Sequence, residues 1–191
     1  MMRLFAGLDI SSEIAASLAN LEGGIPGARW IAPENHHVTL VFIGEVPEHV
    51  ADEIDETLAD IDHPALDLSV EGLGTFGHAK PHTLWAGIAD SPGLNHLQAK
   101  VTQALRDLGI EIERRKFFPH VTLARLKDAP ADRLRTFIAG NSPFHAGTFH
   151  VPAFTLFQSF VTKDGSDYRR LMEYPLNSRL AAPGITSGSD E

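Results

Sequence analysis

The feature that most constrains this chain is a repeat. His37-Val38-Thr39-Leu40 returns letter for letter as His120-Val121-Thr122-Leu123, 83 residues further on. Two more echoes keep the same order: Leu4-Phe5-Ala6-Gly7-Leu8 against Leu84-Trp85-Ala86-Gly87-Ile88, and Val70 to Phe76 against Val151 to Phe157. Helix signals fall between them. Ile14, Leu18 and Leu21 form an apolar stripe closed by Gly23-Gly24, and Val50, Ile54, Leu58 and Ile61 form a second one after Pro47. In the second half Ser91 and Pro92 cap and open a helix through Leu94, Leu97, Val101, Leu105 and Leu108. Pro130 starts a shorter helix through Leu134, Phe137 and Ile138. This order predicts an α+β fold, bilobal, from duplicated β-α-β-α-β units about a central cleft. A single bilobal domain is expected over 1–178, with lobe one at about 1–78 and lobe two at about 82–160. A closing hairpin is expected over 160–176, turning through Lys163 to Ser166, and the Gly, Ser and Asp-rich stretch 179–191 should be a disordered tail.

The repeated motif carries chemistry as well as symmetry. Successive side chains of a strand point to opposite faces, so His37 and Thr39 share one face and Val38 and Leu40 the other. The second copy disposes His120 and Thr122 in the same way. A pseudo-two-fold axis would bring both histidines to one cleft, offering an acid, a base and two hydroxyl donors. No metal is required for such a site, and no histidine or acid spacing in the chain suggests one; the expected cofactor is none.

Composition narrows the partners. Sixteen basic against 25 acidic residues give a formal net charge of −9, unlike the basic surface that grips long nucleic acid. The exception is Glu113 to Lys127, where Arg114, Arg115, Lys116, Arg125 and Lys127 flank the second motif. A role with RNA would then be recognition of an end or of a nucleotide. The absence of cysteine excludes disulfides, thiolate metal sites and a cysteine nucleophile, and it fits a reducing cytoplasm. No apolar run has the length of a signal peptide core or a membrane span. The chain is therefore read as cytoplasmic, off the membrane, and a monomer.

These residues resemble the two-histidine (2H) phosphoesterases, and within them the bacterial RNA 2′,3′-cyclic phosphodiesterases, also known as 2′-5′ RNA ligase-like proteins. The stretches that carry the resemblance are Arg29-Trp30, Pro33 to Glu45 and Phe118 to Arg125, with Arg3 to Ala6, Leu156 to Ser159 and Gly165 to Tyr168 in support. It covers roughly residues 3 to 176. Two departures are His36, where the family usually has an apolar residue, and His82, where arginine is expected. The resemblance implies a bilobal α+β fold with antiparallel sheets lining a central cleft, and metal-independent hydrolysis of a 2′,3′-cyclic phosphate to a 2′-phosphomonoester, on RNA 3′ ends or nucleotides. It implies His37 as proton donor and His120 as proton acceptor, an assignment that the symmetry of the motifs leaves open. Thr39 and Thr122 would bind the phosphate. Two alternatives use the same cleft: a 2′-5′ RNA ligase acting on tRNA halves, and a non-catalytic module that binds RNA ends.

Three further residues are candidate substrate contacts. Arg125 lies five positions after His120, so on an unbulged strand it faces away from the cleft; a bend would turn it inward. Phe76 and Phe157 occupy matching positions of the two units and are read as core or as base-stacking platforms. His36, adjacent to His37, should point away from the cleft. The remaining histidines read as solvated or locally hydrogen-bonded.

Overall fold

The structure, a computed structural model, describes residues 1–77, 79–162 and 165–177. Its scaffold is one nine-stranded sheet, and each pairing between its strands is antiparallel. The strands are β1 (Met2–Asp9), β2 (Ala28–Trp30), β3 (His37–Val46), β4 (Leu66–Phe76), β5 (Thr83–Ile88), β6 (His120–Leu126), β7 (His145–Val151), β8 (Ala153–Thr162) and β9 (Gly165–Pro175). Among the described residues four α-helices join them: α1 (Ser12–Ala19), α2 (Glu48–Ala59), α3 (Pro92–Asp107) and α4 (Ala131–Gly140).

The helix starts follow the signals in the sequence. The Ser11 hydroxyl accepts from the Ile14 amide at 3.3 Å and the Ser91 hydroxyl from the Leu94 amide at 3.2 Å, each satisfying a donor that the first helical turn leaves free. The predicted stripes face inward: Ile54 and Leu58 of α2 and Leu94, Leu97, Val101 and Leu105 of α3 are fully buried. Each such side chain contributes roughly 1.5–3 kcal/mol by leaving water. They join one continuous apolar core with the undersides of both motif strands.

The order across the sheet is β7-β4-β5-β6-β3-β1-β8-β9, with β2 paired to β6. Outward from the β3–β6 seam, one half therefore runs β3-β1-β8 and the other β6-β5-β4. By the sequence echoes β8 is the counterpart of β4, so each repeat contributes its third strand to the other half. The halves of the sheet consequently differ from the sequence halves expected at 1–78 and 82–160. Periodicity identifies a strand, but its partner is set by long-range pairing that no local pattern encodes. Two strands were also missed: β2, three residues long, and β7, which forms an edge against β4. The expected hairpin exists but is longer, because β8 begins at Ala153 and pairs with β9 along its length. Its turn residues Lys163 and Asp164, like His78 and the expected tail 179–191, lie outside the described residues. Among the described residues no helix is long and apolar enough to cross a membrane.

Candidate active site

The seam of the sheet brings the two motifs together. Val38 and Val121 are register partners across antiparallel β3 and β6, and both are fully buried. One step to either side on the strands stand His37, Thr39, His120 and Thr122, whose side chains occupy the opposite face. All four line one cavity of about 350 Å³, together with Phe76, His82 and Arg125.

Both motif strands carry an extra residue at the same place. Against β1, Ala6 pairs with Val41 but Gly7 with Thr39, which leaves Leu40 unmatched. Against β5, Leu84 pairs with Ala124 but Trp85 with Thr122, which leaves Leu123 unmatched. These bulges reverse the alternation beyond the threonine, so the residue five after each histidine turns to the cleft side. In β6 that residue is Arg125, whose guanidinium donates to the Thr83 hydroxyl at 3.0 Å. The unbulged expectation for Arg125 is thereby corrected. In β3 the equivalent residue is Phe42, 53% exposed at the cavity mouth. Sequence reasoning missed Phe42, although its alignment with Arg125 across the repeat was available.

The two imidazoles are held alike. Nδ1 of His37 lies 2.8 Å from the Asn35 carbonyl, and Nδ1 of His120 lies 2.7 Å from the Phe118 carbonyl, in each case two residues upstream. A carbonyl only accepts, so each Nδ1 carries the hydrogen and each neutral ring keeps its lone pair on Nε2. In His37 that nitrogen accepts from the Thr39 hydroxyl at 3.1 Å. Each ring also sits in an aromatic cradle. His37 packs on Phe5 at 4.8 Å and edge-on to Tyr168 at 4.9 Å, and His120 is edge-on to Phe76 at 4.8 Å. The exchange of third strands is visible here: Phe76 of the first repeat serves His120, and Phe157 of the second serves His37 at 5.8 Å.

The cradles depress both pKa values. Burial pushes His37 down to about 4, opposed by its bond to the Asn35 carbonyl and by the Asp9 carboxylate. Burial also lowers His120, opposed by the Phe118 carbonyl, while the guanidinium groups of Arg125 and Arg115 lower it further. Asp9 is itself fixed, accepting from the Thr155 hydroxyl at 3.0 Å and from Arg170 Nε at 2.9 Å.

The other candidates separate. Phe76 lines the cavity. Phe157 is only 4% exposed and stacks on Phe5 with ring centroids 4.9 Å apart, so it offers no face to a ligand in this structure. His36, just ahead of β3, is buried and does not line the cavity. Of the remaining histidines, His63 is buried with Nδ1 donating to the Pro64 carbonyl, and His82 reaches the cavity instead of bulk solvent alone. Among the described residues no group of three or more His, Cys, Asp or Glu side chains is placed to hold a metal ion.

A cleft built from two H-x-T strands at the seam of a duplicated α+β sheet defines a class, and comparison with known proteins agrees. The sequence matches the 2'-5' RNA ligase superfamily over residues 13–159, and the chain belongs to that family. Among its relatives, an Aeropyrum pernix protein named RNA 2',3'-cyclic phosphodiesterase is 37% identical, over 78% of this chain and 86% of its own. One of the same name from Archaeoglobus fulgidus is 31% identical over 89% of this chain and 98% of its own. In fold, the crystal structure of a Thermus thermophilus protein superposes with a TM-score of 0.80 at 23% identity, covering 93% of this chain and all of that one. Escherichia coli LigT gives 0.76 at 24% identity, covering 93% of this chain and 98% of its own.

Proposed function

We propose that this protein is an RNA 2′,3′-cyclic phosphodiesterase that opens the cyclic end to a 2′-phosphomonoester by acid–base catalysis between His37 and His120. The observation that carries the reading is the convergence of both H-x-T motifs on one cavity, each with Nδ1 held by a backbone carbonyl so that Nε2, which in His37 accepts from Thr39, is the nitrogen left for proton transfer. Relatives that bear the name of this activity match most of the chain.

The reaction needs three things at once. A base accepts a proton from water as the oxygen attacks phosphorus. Opposite it, the bond from phosphorus to O3′ breaks, and an acid delivers a proton to that oxygen. The non-bridging oxygens meanwhile need donors for their charge. His120 is the base, His37 the acid, and the Thr39 and Thr122 hydroxyls donate to the non-bridging oxygens. Arg125 adds a positive charge beside them.

The free-cleft pKa values and this assignment pull in different directions. Burial dominates in the free protein and depresses His37 strongly, which opposes an acid role. A bound substrate covers both rings, so the burial difference shrinks on binding. What persists is fixed charge: Asp9 favours a protonated His37, whereas Arg125 and Arg115 favour a neutral His120. The phosphate anion itself raises both values. Charge therefore supports His37 as donor and His120 as acceptor, as the family resemblance implies.

The direct test is hydrolysis of a 2′,3′-cyclic nucleotide and of a short RNA with a cyclic end, in the presence of a chelator. The expected product is the 2′-phosphate, with the rate falling by about 10²–10⁴ in His37→Ala and in His120→Ala. Retention of most of the rate by either variant would sink the mechanism. A 2′-5′ joined product would favour the ligase reading, and tight binding without turnover the binding module. The same reading includes a monomer working in the cytoplasm, supported by the lack of cysteine.

A further inference from the structure

A second and larger cavity, of about 560 Å³, opens from the first. The two share Thr39, Phe42, Phe76, His82, Arg115 and His120, so they are compartments of one groove that meet at His120. The larger runs between the polar face of α3 and the irregular loop 110–119. Gln98, Thr102 and Arg106, one turn apart along α3, line one wall. Arg115, Lys116 and Phe118 line the other. Among the described residues three cations thus face a groove whose one acid is Glu113, 3.9 Å from Arg115, in a chain of net charge −9.

We propose that this groove carries the RNA strand leading into the cyclic end, with Arg106, Arg115 and Lys116 holding its backbone phosphates. The inference rests on the phosphodiesterase reading and extends it to substrate class: an oligonucleotide is the favoured substrate over a mononucleotide. The connectivity of the substrate supports this. A 2′,3′-cyclic phosphate occupies both ribose hydroxyls, so the strand continues only through O5′ and must leave the catalytic cavity in one direction. The larger groove is the exit that shares both His120 and Thr39 with that cavity. Its aromatic content fits a single strand, whose unstacked bases lie on exposed ring faces. Phe118 is 48% exposed, and the Arg115 guanidinium lies 5.5 Å above the Phe42 ring, at the junction of the two compartments. A second basic strip, Arg29 and Lys127, joins the catalytic cavity through Arg125 alone and makes the poorer exit.

The experiment compares kcat/KM for a mononucleoside 2′,3′-cyclic phosphate and a short oligoribonucleotide with the same cyclic 3′ nucleotide, across monovalent salt. Neutralised phosphates release counterions, so three contacts give the oligonucleotide a log–log salt slope about 2 units steeper than the mononucleotide. The pair Arg106→Ala/Lys116→Ala should remove more than half of that excess and lower oligonucleotide kcat/KM about tenfold at low salt, leaving mononucleotide turnover unchanged. The pair Arg29→Ala/Lys127→Ala should alter neither. Parallel losses on both substrates, an unchanged slope, or a slope lost only in the Arg29/Lys127 pair would overturn the groove while leaving the phosphodiesterase reading intact. Failure of the unmodified protein to hydrolyse either substrate would refute that reading instead. The groove is then judged by anisotropy with a 2′-phosphate-ended oligonucleotide, where loss of affinity confined to Arg106→Ala/Lys116→Ala supports it and equal affinity refutes it.

Discussion

The surroundings of His37 and His120 are built on one plan and charged in opposite senses. Each ring donates to the carbonyl two residues upstream, rests in an aromatic cradle, and precedes a bulge that turns the fifth residue to the cleft. Behind His37 stands Asp9, held by Thr155 and Arg170. The residue that corresponds to Asp9 in the second repeat is Ala89, and the charges that act on His120 are the guanidinium groups of Arg125 and Arg115. The bulge presents an aromatic ring, Phe42, in the first half and a cation, Arg125, in the second. Duplication supplies two equivalent imidazoles, and a few unmatched residues give them different proton affinities. In the free cleft burial still outweighs these charges for both rings.

The largest expected effect separates the two histidines by the leaving group. With an aryl phosphodiester, whose phenolate departs without a proton, His37→Ala should recover most of its activity relative to unmodified protein. His120→Ala should stay about 10²–10⁴-fold down, because the water must still be activated. Recovery in His120→Ala instead would invert the assignment.

Next come the threonines. Thr39→Ala and Thr122→Ala should each lose about ten- to a hundredfold in kcat/KM, as expected for one hydrogen bond to a charged group. They should differ in pH profile, since only the Thr39 hydroxyl bonds a histidine Nε2 in the free cleft. Identical profiles would show that this bond has no bearing on proton affinity.

Asp9→Asn probes the charge difference itself. Without the carboxylate the proton on His37 is held less firmly, so kcat should fall by about fivefold at pH 8 and less at pH 6, with KM little changed. A loss of equal size at both pH values would mean that Asp9 acts only through packing.

The smallest effect concerns stability. His36, His37 and His120 all have folded-state pKa values below 6.5, and that of His37 is about 4. Below pH 6.5 the unfolded chain therefore binds protons that the folded one resists. Stability is full above that value and falls as pH drops toward 4. Urea midpoints at pH 7.5 and 5 should show the decline, and His37→Gln should make it shallower.

Much of the site was legible because its signals are local. An H-x-T triplet on a strand puts both polar groups on one face wherever the strand goes, and the repeat named the second copy. The serine caps and the stripes of α2 and α3 are equally local. Arg125 and Phe42 were not legible in the same way, because a bulge is defined against a partner strand. Nor was the fate of Phe157, whose burial against Phe5 depends on β8 joining β1.

The sequence by itself determined the two H-x-T motifs as candidates, the α+β class and the duplication. Alternation, periodicity and capping act over a few residues and survive any tertiary arrangement. Only the tertiary structure decided that third strands change halves, that Phe76 faces the cleft while Phe157 is sealed, and that Asp9 and Arg125 polarise the two imidazoles. Those outcomes come from pairing between strands distant in the chain, whose register is fixed by the shared core that all of them must bury.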